Sequence, residues 1–388
     1  MKIRFCNKDD ENQIKKIWQY CFEDSDEYVD FYFKNKFSPE NTVALEKNGN
    51  IISSIHLNQH KINLFHKEYD VSYVVGVSTL PESRGTGMMK ELMQFSLRSM
   101  YERGQEVSIL MPIDFRLYTP FGFQNCYDYE VVKLDVFYLK RFKINGDFCE
   151  VEKPEDLERI YGLANKRYNG YALRDKKYFE EFIEEMKAEG GYIYVNFRNG
   201  EPVGYIAYSM DSGTFYVREL YYIDISAYES ILKFIFNHNT QCKNVEIMTS
   251  IDSPLYDLLD NPKESVFEKK PFMMGRVINF IRLIDKLEIP YFSDFKGVSI
   301  KIKDEYIKEN DGLFKLKRNN GLVKAEKCDS DDYADEFTIN EITSLFFGYK
   351  SIDNIEFLSG KKYKYKEEIR RMINSVDSIK INYINEYV

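Results

Sequence analysis

Residues 75–90, Val-Gly-Val-Ser-Thr-Leu-Pro-Glu-Ser-Arg-Gly-Thr-Gly-Met-Met-Lys, restrict what this chain can fold into more than any other stretch. The stretch opens as an apolar, β-branched run, which suits a buried strand. Pro81 ends that strand because it has no N–H to give a ladder. Arg84-Gly85-Thr86-Gly87 follows. Met88, Leu92, Met93 and residues 95–97 then recur at helical spacing, with Lys90, Glu91 and Gln94 between them. The unit is strand, glycine turn, helix. Two closely spaced glycines let the backbone turn without Cβ clashes. They also let several N–H groups converge at the positive end of a helix, which makes an anion site, most naturally for phosphate. Arg84 adds a charged donor. The bland alternative is a tight turn that binds nothing.

The kind of phosphate site follows by comparison of patterns. A P-loop needs Gly-Lys-Ser/Thr, whereas Gly87 is followed by Met88-Met89-Lys90. A dinucleotide fingerprint needs a third glycine where Lys90 stands. Arg84-x-x-Gly87 after a strand is similar to the Gln/Arg-x-x-Gly-x-Gly/Ala pyrophosphate loop of the GNAT superfamily of acetyl-CoA-dependent N-acetyltransferases, with Met89 in the last place. A second apolar strand, 107–111, leads to Ile113-Asp114-Phe115-Arg116-Leu117-Tyr118-Thr119-Pro120-Phe121-Gly122-Phe123. Leu-Tyr-x-x-Phe-Gly-Phe resembles the second acetyl-CoA motif of those enzymes. A bulky residue at Met89 together with Tyr-x-x-Phe-Gly-Phe resembles the enhanced intracellular survival (Eis) type in particular, over the whole chain.

That resemblance implies an α+β protein. It would have tandem GNAT-type domains, each a mixed sheet flanked by helices, plus a C-terminal sterol-carrier-protein-like α+β domain. The expected limits are 1–145 for the catalytic domain, 146–288 for a second, degenerate GNAT-like domain and 289–388 for the last. The residues support this order. Helices are expected over 11–22 and 26–36, and strands over 41–47 and 50–59, joined at the hairpin signal Asn48-Gly49. More strand is expected over 61–71, then the central motif, and a closing strand over 127–134. The second unit repeats the pattern, with a hairpin at Asn199-Gly200. Where its phosphate loop should lie, after Tyr221-Tyr222-Ile223, it has Asp224-Ile225-Ser226, with no glycine and no arginine. Asp224 would repel a pyrophosphate. The last unit has turn signals at residues 310–312 and 319–321, a helix over 339–347 with Asn340 as its cap, and a charged helix over 361–373. It reads as a scaffold in preference to a lipid carrier.

Length and composition agree. A chain of 388 residues with 44% hydrophobic and 30% charged content is a soluble, multi-domain protein. No apolar window approaches membrane-helix length, and residues 1–10 contain no secretory h-region. Six scattered cysteines without C-x-x-C indicate reduced thiols, a cytoplasmic location and no zinc site. His56, His60 and His66 lie close in sequence but in a strand–turn context, so no metal is expected. A net charge of −9 disfavours nucleic acid and anionic membrane, and it would attract a small cationic amine.

Acetyl transfer to an amine needs the donor held, the thioester carbonyl polarised, a neutral amine, and a proton for the leaving thiolate. The resemblance implies that Val77, Ser78 and Thr79 offer backbone groups to the pantetheine arm of acetyl-CoA. It implies that Arg84, Gly85, Thr86, Gly87, Met88, Met89 and Lys90 wrap the pyrophosphate, and that Ile113 and Asp114 line the cofactor. Tyr118 would be the general acid. The terminal carboxylate, here that of Val388, would receive the amine's proton. Position alone suggests Asp24, Asp26 and Glu386 as acids for a cationic acceptor, which would be an aminoglycoside, a polyamine or a lysine side chain. A homo-oligomer, hexameric in the family, is implied in the same way. The competing reading is a non-catalytic acyl-CoA or lipid-binding regulator, which an apolar tunnel in residues 290–388 would favour.

Overall fold

The computed structural model describes residues 1–329, 334–376 and 381–387. It divides into two compact units, one of residues 1–127, 170–172 and 272–388, the other of 128–169 and 173–271.

The first unit is built on an eight-stranded sheet. Its order is Lys2–Phe5, Thr42–Lys47, Asn50–Leu64, Lys67–Thr79, Val107–Leu110, Met274–Val277 and Gln124–Asn125, with Tyr171–Ala172 added beside Asn50–Leu64. The Asn48-Gly49 hairpin forms with both residues at positive φ (52° and 83°), as a type I′ turn requires. The strand expected over 50–59 runs on to Leu64. The turn that ends it, Phe65-His66, uses two non-glycine residues at φ 50° and 61°, so no glycine or asparagine announced it. The central strand therefore begins at Lys67. Lys67–Thr79 and Val107–Leu110 are parallel, and helix Met88–Glu102 makes the crossover.

One expectation fails. The strand expected over 127–134 to close the first sheet is Asp128–Asp135, and it pairs instead with Asn244–Thr249 and Val266–Pro271 in the other unit. Met274–Val277 takes the place next to Val107–Leu110. The sheets change hands at Tyr127/Asp128 and Pro271/Phe272. An alternating pattern shows that a strand forms, but its partner is a long-range choice.

The second unit holds a seven-stranded sheet, ordered Val266–Pro271, Asp128–Asp135, Asn244–Thr249, Thr214–Tyr222, Glu201–Asp211, Tyr192–Arg198 and Asp147–Glu150. Helix Ile225–Phe236 crosses between its parallel pair.

The C-terminal part of the first unit is a four-stranded sheet, ordered Leu322–Cys328, Gly312–Asn319, Val298–Lys303 and Asp335–Thr338, with helices Ile339–Phe346, Ile352–Ser359 and Lys366–Val376. Thr338, not Asn340, caps the first of these helices. Its hydroxyl accepts from Glu341 N, and the Glu341 carboxylate accepts from Thr338 N, a reciprocal capping box. The charged helix starts at Lys366, later than the expected 361, because the Asp335 carboxylate holds the N–H groups of Lys364 and Tyr365 just before it. Between sheet and helices, Val298, Ile300, Leu316, Phe337, Ile342, Leu345, Phe346, Ile369 and Met372 fill the space and leave about 10 Å³, no more than one water needs.

Candidate active site

The site begins where two strands part. Lys67–Thr79 and Val107–Leu110 are paired only as far as Val74 and Leu110. Directly beyond, the first strand bulges. Ser78 lies opposite Ser54 and Val75 opposite His56, so one residue is extra on the central strand. Gly76 sits there at φ 57°. A Cβ at Gly76 would lie 2.5 Å from the Trp18 ring and 3.1 Å from that of His56, so glycine is required by both conformation and space. Burial holds the His56 imidazole down to about 3, so it packs neutral against Trp18 at a ring distance of 5.2 Å. Val77, Ser78 and Thr79 lie beyond the last residue of the central strand that is paired with Val107–Leu110. The Ser78 side chain is buried and bonded to Ser54 Oγ at 2.9 Å, and Ser53 Oγ donates to the Ser78 carbonyl.

The glycine loop follows. Arg84 Nε donates to Thr79 O at 2.9 Å and Thr86 Oγ1 to Ser83 O at 2.7 Å, so the loop is braced from within. Gly85 and Gly87 have φ of 75° and 84°, and Gly87 is the N-cap of Met88–Glu102 with no side chain capping it. Among the described residues the N–H groups of Gly85, Thr86, Gly87, Met88 and Met89 make no backbone or side-chain hydrogen bond. Five successive unpaired donors at the positive end of a four-turn helix fit an anion. Arg84, Gly85, Thr86, Gly87 and Lys90 are exposed, while Met88 points into the core. Lys90 is already engaged by Glu305 at 3.0 Å, which holds its ammonium above the ordinary lysine range.

After the splayed strand, Asp114 caps the short helix Phe115–Tyr118 by accepting from Arg116 N. The Arg116 guanidinium binds the same carboxylate and holds it below the usual range. Ile113 is 77% exposed. Tyr118 is buried in one apolar core with Val74, Leu110, Met88 and Leu92. The Tyr118 ring thus shares a core with the end of the strand pairing and the first residue of the glycine-loop helix. The Tyr118 hydroxyl makes no hydrogen bond among the described residues, and burial pushes its pKa up to about 12.

The tail reaches the same strand. Asn382 Nδ2 donates to Cys126 O and Phe347 O, the Tyr387 ring meets Phe272 at 5.1 Å, and Tyr73 Oη donates to Glu386 O at 3.1 Å. Tyr73 directly precedes Val74, the last paired residue, and Glu386 is buried. Val388 lies outside the described residues. Asp24 accepts from Trp18 Nε1 at 2.8 Å and Asp26 from Gln19 Nε2 at 3.2 Å.

Sequence reasoning missed Gly76, and with it Trp18 and His56 as the rings that demand it. It also missed Arg276, whose charge in the apolar run Met273-Met274-Gly275-Arg276-Val277-Ile278 was a usable signal.

Comparison with known proteins bears on the fold. Residues 2–126 match an acetyltransferase (GNAT) domain family, residues 170–277 a second acetyltransferase (GNAT) domain family, and residues 287–372 a sterol carrier protein domain family. No curated protein matches the chain. Among solved structures it is similar to a conserved protein of Enterococcus faecalis V583 described as a probable N-acyltransferase, at 19% identity, TM-score 0.87, covering 100% of this chain and 99% of that one. It is also similar to a GCN5-related N-acetyltransferase of Anabaena variabilis, at 17% identity and TM-score 0.83, with 100% of each chain covered. Eis1 of Mycobacterium abscessus shares 15% identity at TM-score 0.77, again over 100% of each. No described helix is long and apolar enough to cross a membrane. With a glycine-loop helix open to an anion and three family matches in this order, the chain is built of two acetyltransferase (GNAT) domains followed by a sterol carrier protein domain, the architecture of the Eis-type acetyl-CoA-dependent N-acetyltransferases.

Proposed function

We propose that this enzyme acetylates a primary amine of a small cationic acceptor that is aminoglycoside-, polyamine- or lysine-like. The observation that carries the reading is the uncapped helix at Gly87, placed beside the parted strands and sharing one core with Tyr118. Acetyl-CoA supplies the activated acetyl thioester. The N–H groups of residues 85–89, with Arg84, hold its pyrophosphate, and the backbone of Val77, Ser78 and Thr79 lines its arm. Ile113 and Asp114 flank it on the other side. Lys90 adds positive charge at the loop while bound to Glu305. The Val388 carboxylate takes the proton of the attacking amine. A C–N bond forms, the C–S bond breaks, and the Tyr118 hydroxyl gives its proton to the departing sulfur. Burial raises the Tyr118 phenol and so keeps it protonated. Glu386 draws in a cation, and Asp24 and Asp26 add acidic charge along the 18–26 segment. The same reading carries a homo-oligomer, six copies by family resemblance, which sedimentation velocity reads directly.

The space between the C-terminal sheet and its helices, about 10 Å³, is too small for a lipid and counts against the lipid-binding alternative. The test is thiol release from acetyl-CoA with aminoglycosides, diamines and lysine peptides, run on wild type, Tyr118→Phe and a chain extended beyond Val388. Turnover with one acceptor class, lost in both variants, is expected. Turnover that survives both variants would remove the two catalytic assignments, and tight acetyl-CoA binding without turnover would return the regulator.

A further inference from the structure

The loop carrying Tyr118 is tied down by side chains from outside residues 1–127. Asn340 Nδ2 donates to Thr119 O at 3.0 Å and to Phe123 O at 2.9 Å. Asn340 is the second residue of helix Ile339–Phe346 in the C-terminal domain. Between those two carbonyls, Phe121 O accepts from Arg276 Nε at 2.7 Å. The Arg276 side chain is fully buried, and its terminal nitrogen meets both Asp304 oxygens at 2.8 and 3.0 Å. The same carboxylate accepts from the N–H groups of Tyr306 and Ile307 and from Asn310 Nδ2, so it also shapes the 304–310 turn. That turn places Tyr306 against Phe121, at a ring distance of 5.1 Å, and Ile307 in the core that holds Tyr118 and Met88. Gly122 has φ 88°, and a Cβ there would lie 2.7 Å from Ile339 Cγ2 and 3.0 Å from Arg276 Nε.

The Asn340 and Arg276 bonds bear on the backbone just after Tyr118, while the Tyr118 hydroxyl makes no hydrogen bond among the described residues to orient it. Its place is therefore set by its ring packing and by the loop. A buried arginine–carboxylate pair is a poor choice for stability alone, since apolar side chains of that volume serve as well or better. Three carbonyls held at once is a device for fixing geometry.

We propose that Asn340 and the Arg276–Asp304 pair are positioning residues for acetyl transfer, fixing the 119–123 loop and through it the Tyr118 hydroxyl. The C-terminal domain is then part of the frame of the active site. This rests on the reading of Tyr118 as general acid.

The test is a double-mutant cycle on the full-length enzyme. The kcat, the KM for acetyl-CoA and the acetyl-CoA Kd are measured for wild type, Asn340→Leu, Tyr118→Phe and the double variant. The expected result is a kcat about 10- to 100-fold lower in Asn340→Leu, with KM and Kd within about twofold, and no further loss when Asn340→Leu is added to Tyr118→Phe. Equal losses in both backgrounds, a change confined to Kd, or no loss at all would overturn the proposal. If Tyr118→Phe alone leaves kcat unchanged, the general-acid reading fails and takes this inference with it. If it lowers kcat while Asn340→Leu does not, only this inference fails. Should Asn340→Leu fail to fold, Asn340→Ser, too short to reach either carbonyl, carries the same cycle.

Discussion

Two helices stand at equivalent places in the two GNAT-type sheets and begin in opposite ways. Met88–Glu102 starts from Gly87 in a left-handed conformation, with no side chain capping its first turn and five successive N–H groups without a partner among the described residues. Ile225–Phe236 starts from Asp224, whose carboxylate accepts from Ala227 N at 2.9 Å and is paired with Arg198. Both helices cross between parallel strands. In the second, the charge a phosphate would bring is already supplied by the chain, and the guanidinium a phosphate would use is spent on that same carboxylate. An anion site is made as much by what is left off a helix end as by what is put there. The loops after the next strands differ in the same sense. Tyr118 lies buried beside its helix, at 5% exposure, whereas Tyr256 in the short helix Leu255–Leu258 is 58% exposed.

The comparison can be broken most forcefully by giving the first helix the second one's start. Gly87→Asp places a carboxylate where no neighbouring atom obstructs it. It should weaken acetyl-CoA binding by about 100-fold or more, through lost helix-end potential and direct repulsion. Gly87→Asn tolerates the same left-handed backbone without the charge and should retain most of the affinity. Isothermal titration of both separates charge from conformation, and equal affinities would dissolve the contrast.

Next in size is the pair Tyr118→Phe and Tyr256→Phe. The first should lower kcat by about 10²- to 10⁴-fold, the range for a general acid, and the second should leave it unchanged. Because burial pushes the Tyr118 phenol up to about 12, it stays protonated at lower pH. The wild-type kcat profile should therefore show no alkaline fall from this group below about pH 11. A descent near pH 10 that vanishes in Tyr118→Phe would contradict that burial.

The smallest effect is expected at the closed helix. Asp224→Asn or Asp224→Ala should cost about 1 kcal/mol of stability, the usual worth of a cap, and should create no acetyl-CoA site, since no glycine turn precedes it. The Arg198 hydrogen bond holds the Asp224 pKa below its ordinary 3.8. A folded-state pKa below the unfolded one gives stability that is present above about pH 4 and lost as pH falls through the lower value. The melting-temperature gap between wild type and Asp224→Ala should therefore shrink at acid pH. A gap that widens there would reverse the sign of the linkage.

Much of this was legible in the chain. Asn48-Gly49, Asn199-Gly200 and Asn320-Gly321 each made the hairpin their residues called for, since a turn with both φ positive is a local matter. The glycine loop and the absence of glycine at Asp224 were legible for the same reason. The exchange of Asp128–Asp135 for Met274–Val277 was not, because either strand satisfies its own alternation and only the distant edge decides. The glycine at position 76 read as one residue of an apolar run. Its need arises from Trp18 and His56, which arrive from elsewhere. Asn340 resembled a helix cap because it stands at a helix start, yet Thr338 already fills that role and Asn340 is free to reach Thr119 and Phe123.

The strand exchange bears on how the molecule is made as well as what it is. Val107–Leu110 must wait for a partner about 160 residues further along, so the catalytic sheet remains open-edged while that length is synthesised. An unpaired β edge is a template for wrong pairing. The intervening segment builds a sheet wholly from its own residues and can be complete before the first sheet closes. Sequence order and order of completion then part company: the first sheet is begun before the 128–271 sheet and closes its edge at residues 274–277 only after it.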